Sequence, residues 1–148
     1  MEWNQITFKL PKIDFNPTKQ VVEDAFKMYR KLLFKVPTEK LPKITTTYSL
    51  TPPNQTNEFH STTEDAAIFN VEREQYMKFI QNAINRLNGD HRAILIQSYM
   101  SKENIKDYVI YNDLGMSSRT YYREKKEAII SIANALDIAV YENEVKAG

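Results

Sequence analysis

The sequence predicts an all-α protein with a helix-turn-helix near its C-terminus, preceded by a long helix and an N-terminal helical arm. Three observations lead there. Apolar residues recur at helical spacing in nearly every ordered stretch. Glycine is rare, only three in 148 residues, so there is little of the punctuation that closely spaced strands require. One of the three, Gly115, falls in Leu114-Gly115-Met116-Ser117, between two helical patterns.

Asn16-Pro17 reads as a helix start, with Asn as cap and Pro at the first helical position, where its missing N–H has no acceptor to lose. Val22, Ala25, Phe26, Tyr29, Leu33 and Val36 then form an apolar stripe up to Pro37. Lys27, Arg30, Lys31 and Lys35 occupy the other face, read as a solvated basic surface with a phosphate or polymerase contact as the alternative. From Pro37 to His60 the chain is Pro- and Thr-rich, with Ile44–Leu50 able to pair as a strand. Residues 1–60 are therefore read as a helix plus an extended arm, and 61–148 as a helical domain with the helix-turn-helix at about 105–136.

Order resumes at Ser61, which makes a capping box with Glu64. The following helix carries Met77, Ile80, Ile84 and Leu87 on one stripe and closes at Asn88-Gly89 through a left-handed glycine cap. Asp90 is expected to cap a helix through Met100 that offers Ile94, Leu95 and Tyr99 for burial. A short helix from Ile105 to Leu114 and a longer one from Ser118 to Leu136 complete the pattern, with a frayed tail beyond Asp137.

Composition narrows the function classes. The chain is 42% hydrophobic and 26% charged, enough apolar surface for a core and too little charge for a disordered chain. No apolar run reaches membrane-spanning length, and the first residues lack a signal-peptide pattern. Cysteine is absent, which removes disulfides and thiolate metal sites and points to the cytosol. The only histidines, His60 and His91, have no partner at ligand or triad spacing, and no glycine-rich phosphate loop exists. Asp107 and Asp113 read as solvated carboxylates. No catalytic residue, metal or cofactor is expected. Residues 1–60 carry nine basic against six acidic residues, and 61–148 eleven against thirteen. DNA binding in the second part must therefore rest on a local basic face.

That face begins at Gly115. Leu114 would bury, Gly115 would take positive φ, Met116 would tuck beneath the turn, and Ser117 would cap the next helix. Tyr121, Ala128, Ile129, Ile132 and Leu136 mark the core side of that helix. Arg119, Tyr122, Arg123 and Lys126 form one outward stripe, completed by Ser118 and Thr120 in the first turn. Reading helices enter the major groove N-terminus first, where arginine matches guanine and hydroxyls reach phosphates or bases.

On Ser61–Ala67, Tyr108–Leu114 and Met116-Ser117-Ser118-Arg119-Thr120-Tyr121-Tyr122-Arg123, together with Tyr29–Leu33 and Leu41-Pro42-Lys43, the chain resembles the ArpU family. These phage transcriptional regulators govern late, packaging or lysis genes in phages and prophages of Gram-positive bacteria, and their C-terminal half resembles sigma factor region four. The resemblance implies that Arg119, Tyr122 and Arg123 occupy base- and phosphate-contacting positions. Two residues depart from the general helix-turn-helix pattern. Tyr111 stands where alanine is usual, and Glu124 where an apolar residue is usual.

The expected function is sequence-specific binding of double-stranded DNA by a transcriptional regulator. One such module reads few base pairs, so a homodimer or a contact with bacterial RNA polymerase is expected to complete its specificity. The competing expectation is a small terminase-like packaging protein, which also joins a helix-turn-helix to oligomerising helices.

Overall fold

The computed structural model describes residues 11–35, 43–44, 50–51 and 64–142. The described chain is helical except for one two-residue antiparallel pairing. Helix α1 spans Phe15–Phe34, strands β1 and β2 are Lys43–Ile44 and Leu50–Thr51, and α2 spans Glu64–Asn85. Helix α3, Gly89–Leu95, runs into a π-helical turn at Ile96–Met100, and α4 (Asp107–Asp113) and α5 (Ser118–Ala135) follow. The strands pair Lys43 with Thr51 and Ile44 with Leu50, at the ends of the stretch in which a strand was expected. The Ser61–Glu64 capping box and the Val36-Pro37 helix end lie outside the described residues.

The apolar stripes meet as their spacing requires. Val22, Phe26, Tyr29 and Leu33 of α1 pack with Met77, Ile80 and Ile84 of α2, with Leu87 just beyond it, and with Ala128, Ile129, Ile132 and Leu136 from the α5 region. Burying a large apolar side chain contributes roughly 1.5–3 kcal/mol, so this three-helix contact supplies most of the cohesion. Helix α1, placed by sequence in a separate 1–60 segment, thus lies in the same core. A second cluster of Ile94, Ile110 and Tyr121, flanked by Ile105, Tyr111, Leu114 and Met116, seats α4 against α3 and α5.

Three boundaries differ from expectation. Helix α1 begins at Phe15 with Asp14 as its cap, two residues before Asn16 would cap it. Pro17 still sits in the first turn, and the first intrahelical bond runs from Thr18 N to Asp14 O (3.2 Å). Asn88, rather than Asp90, caps α3 by accepting from the His91 N–H, so Gly89 is the first residue of α3. Among the described glycines only Gly115 has positive φ, so α2 does not end through a glycine cap. It closes instead on tight bonds from Arg86 N to Ala83 O and Leu87 N to Ile84 O.

Within the expected frayed tail, residues 138–142 are held by hydrogen bonds. Asp14 N donates to Val140 O (2.8 Å) and Glu142 N to Lys12 O (2.7 Å), on either side of an Ile13–Tyr141 bridge. The hydroxyl of buried Thr18 donates to Val140 O and accepts from Val140 N, each at 3.0 Å. These bonds tie residues 140–142 to the start of α1.

The π-helical turn serves as an anchor. The Tyr99 ring stacks on Phe26 at 5.2 Å and 3° between planes, while its hydroxyl donates to Glu23 Oε2 (3.1 Å). Burial and the Glu23 carboxylate push the Tyr99 phenol upward in pKa, so it stays protonated as the donor. Ser98, beside it, lies 3.2 Å from the Tyr121 hydroxyl.

Candidate nucleic-acid interface

The turn before α5 is built by backbone bonds that glycine makes possible. Gly115 N donates to Asn112 O (3.2 Å) and Met116 N to Tyr111 O (2.8 Å), the paired bonds of a Schellman closure. Gly115 has φ +68°, which a side chain bearing Cβ adopts only at a cost. Ser117 Oγ accepts from Thr120 N (3.2 Å) and donates to Thr120 Oγ1 (3.0 Å), so α5 starts capped as expected. Ile110 and Tyr121 are fully buried and fix the short helix against the long one.

The predicted outward residues lie on the first turns of α5. Ser117, Ser118, Arg119, Tyr122, Arg123 and Lys126 are exposed, and Thr120 is half-buried under its bonds to Ser117. Ser118, Arg119, Tyr122 and Arg123 share one face. Lys126 is drawn toward the body, its Nζ 4.9 Å from the Phe15 ring centroid. Arg123 approaches Glu124 at 3.7 Å while its side chain stays 63% exposed, leaving most of the guanidinium open to a ligand.

Asp107, expected to be a solvated carboxylate, is the hub behind this face. Its Oδ1 accepts from the Tyr121 hydroxyl (2.6 Å) and Lys125 Nζ (3.0 Å), and its Oδ2 from the Tyr122 hydroxyl (3.4 Å). Partial burial by itself raises the carboxyl pKa, but these donors and the Lys125 charge outweigh it and hold the group below the ordinary aspartate value. Burial, reinforced by the bond to Asp107, raises the Tyr121 phenol. The hub joins the first residue of α4 to the first two turns of α5, so Tyr122 presents a ring whose tip is tethered.

Both departures from the general pattern are accommodated. Tyr111 packs beside Tyr121 with ring centroids 5.6 Å apart, filling with an aromatic the space that alanine would leave for closer helices. Glu124 turns toward α3, its Oε2 lying 3.0 Å from His91 Nε2, with Glu127 Oε2 3.9 Å from the same nitrogen. His91 therefore has partners, contrary to expectation. Glu124 stands 33 residues away in sequence and Glu127 three further on, separations at which no spacing rule operates. Lys125 and Asp107 were missed likewise. The only trace in the sequence is that Lys125 follows Tyr121-Tyr122 within one helical turn, whereas Asp107 stands 14 and 15 residues before those tyrosines.

Fold and surface thus define a small helical protein that presents hydroxyls, guanidiniums and one tyrosine from the capped start of an exposed helix. The family described as "Protein of unknown function (DUF1492)" matches residues 57–133, and the chain belongs to that family. It is 37% identical over 140 residues to Protein Gp66 of Listeria phage A118, covering 90% of this chain and 96% of that one. It is 34% identical over 137 residues, with the same coverage, to an uncharacterized phage-related protein, Lin1259/Lin1739, of Listeria innocua serovar 6a. No solved structure matches the chain. The phage association expected from sequence is thus present in the relatives. The family that matches is DUF1492, and nothing in these relatives bears on the ArpU or sigma region four likeness. No helix among the described residues is long and apolar enough to cross a membrane.

Proposed function

We propose that this protein is a phage or prophage transcriptional regulator that binds double-stranded DNA sequence-specifically, with α4 and α5 acting as a helix-turn-helix and α5 as its reading helix. One observation supports this above the others. Ser118, Arg119, Tyr122 and Arg123 are exposed together on the first two turns of a capped helix that follows a glycine-closed turn. The free N–H groups and partial positive charge of that helix start attract phosphate, and the arginines match guanine edges.

The tethered tyrosine suits the same role. Tyr122 leaves 52% of its surface to solvent while Asp107 restrains its tip, so little rotamer freedom remains to be lost on contact with a duplex. The ring of Tyr108, exposed on α4, and Lys106 just before α4 line the same open groove as Tyr122 and extend the surface for backbone contacts. One such unit reads few base pairs. A second copy or bacterial RNA polymerase completes the specificity, and α2 offers exposed Ile68, Val71 and Phe79 on one face for that contact. ArpU-like control of late, packaging or lysis genes is the biological setting that this reading implies, in the cytoplasm of the host.

The test is fluorescence anisotropy of the purified chain on DNA from upstream of neighbouring phage genes, at two salt concentrations. Sequence-dependent affinity that weakens steeply with salt is expected, and the Arg119→Ala,Arg123→Ala variant should lose the preference while keeping its helical spectrum. Equal affinity of wild type and variant for all duplexes would remove α5 as the reading element.

A further inference from the structure

We infer that His91, Glu124 and Glu127 form a binding site for a divalent transition-metal ion of the zinc type, bridging α3 to α5. The three side chains offer one donor atom each, and these atoms all lie within 4.8 Å of one another. Glu124 and Glu127 stand three residues apart on α5, so both project from one helix face. His91 faces them from α3, with its N–H fixed by the Asn88 cap and its side chain only 9% exposed. Its Nε2 is directed at both carboxylates, 3.0 Å from Glu124 and 3.9 Å from Glu127.

The spacing suits coordination. Zinc binds imidazole nitrogen and carboxylate oxygen at about 2.0–2.2 Å, which places neighbouring donors roughly 3–3.5 Å apart. The His91–Glu124 pair already has that separation, and Glu127, whose side chain is 59% exposed, closes the remaining gap by rotation in solvent. A neutral imidazole can donate through Nε2 to only one of two converging carboxylates. The Arg123 guanidinium, 3.7 Å from Glu124, offsets one negative charge from an exposed position. A dication would satisfy both carboxylates and take the imidazole lone pair. One nitrogen with two oxygens favours zinc-like ions over magnesium, which prefers oxygen alone and retains its waters. The exposed side of the site leaves a position for water to complete the coordination shell. This site is independent of any nucleic acid, and its test contains none.

The experiment uses the full chain, stripped with chelator and dialysed, titrated with zinc chloride and separately with magnesium chloride. Calorimetry and thermal melting are the readouts. One zinc per chain is expected, with the melting temperature raised by at least about 5 °C at saturation and no response to magnesium. His91→Ala and Glu127→Gln should each weaken zinc binding by at least about tenfold. Glu127→Gln decides the matter if the histidine variant fails to fold, because it alters a surface side chain. No zinc uptake by wild type at about 100 µM, equal responses to zinc and magnesium, or uptake unchanged in Glu127→Gln would each overturn the assignment.

Discussion

Replacing Gly115 tests the turn on which the proposed interface is built. The residue has φ +68°, and a Cβ added there would meet no atom within 4 Å. The cost of Gly115→Ala is therefore conformational and not steric. An L-residue in the left-handed region costs about 1–2 kcal/mol, offset by roughly 0.4–1 kcal/mol from the reduced entropy of the unfolded chain. A net loss of about 1 kcal/mol follows, or about 3–5 °C in melting temperature for a chain of this size. Valine, branched at Cβ, should cost more, and asparagine, which tolerates this region, less. Melting followed by circular dichroism should rank the variants Gly, Asn, Ala, Val in falling stability. Below the transition all four should keep their helical content, while DNA affinity falls in the same order because the angle between α4 and α5 is set here. A valine variant that melts with wild type, or an asparagine variant as unstable as valine, would refute the argument.

Arg119→Ala and Arg123→Ala should each weaken binding to a preferred duplex by roughly 1–3 kcal/mol per lost base contact, read by anisotropy, with melting unchanged. Among the described residues Asp137 is the other left-handed one, at φ 58°, and it closes α5 with Asp137 N to Asn134 O and Ile138 N to Ala133 O. Asp137→Gly should therefore raise stability by up to about 1 kcal/mol in a urea titration. Thr18→Val should cost roughly 1–3 kcal/mol by leaving Val140 N–H without its acceptor, and Thr18→Ser should restore most of that. Asp107 has a folded-state pKa below its ordinary value of 3.8, so its contribution is complete above about pH 4 and disappears as pH falls through the lower folded value. The stability gap between wild type and Asp107→Asn should thus be flat from pH 7 to pH 5 and shrink below pH 4.

The elements most legible in the sequence were those with local causes. The stripes of α1, α2 and α5 follow from 3.6-residue periodicity, and every core residue named on α5 is buried. The Gly115 turn and the Ser117 cap were readable because each depends on a residue and its neighbours within four positions. Boundaries were less legible. Asn16, Gly89 and Asp90 carry the right chemistry for caps, but Asp14 and Asn88 compete for the same roles nearby. The choice at α1 rests on a distant strand-like contact with Val140.

By itself, then, the sequence determined helix identity, which faces are buried, and which polar side chains stand at the start of α5. Those properties arise from short-range sterics and from the period of the backbone. Only the tertiary structure decided that Asp107 gathers Tyr121, Tyr122 and Lys125, that His91 faces Glu124 and Glu127, and that residues 140–142 close on the start of α1. Such pairings join residues from 14 positions apart (Tyr121 and Asp107) to 130 apart (Glu142 and Lys12, 142 − 12). Their geometry is set by how helices pack, and a single chain's local chemistry does not encode which side chains that packing brings face to face.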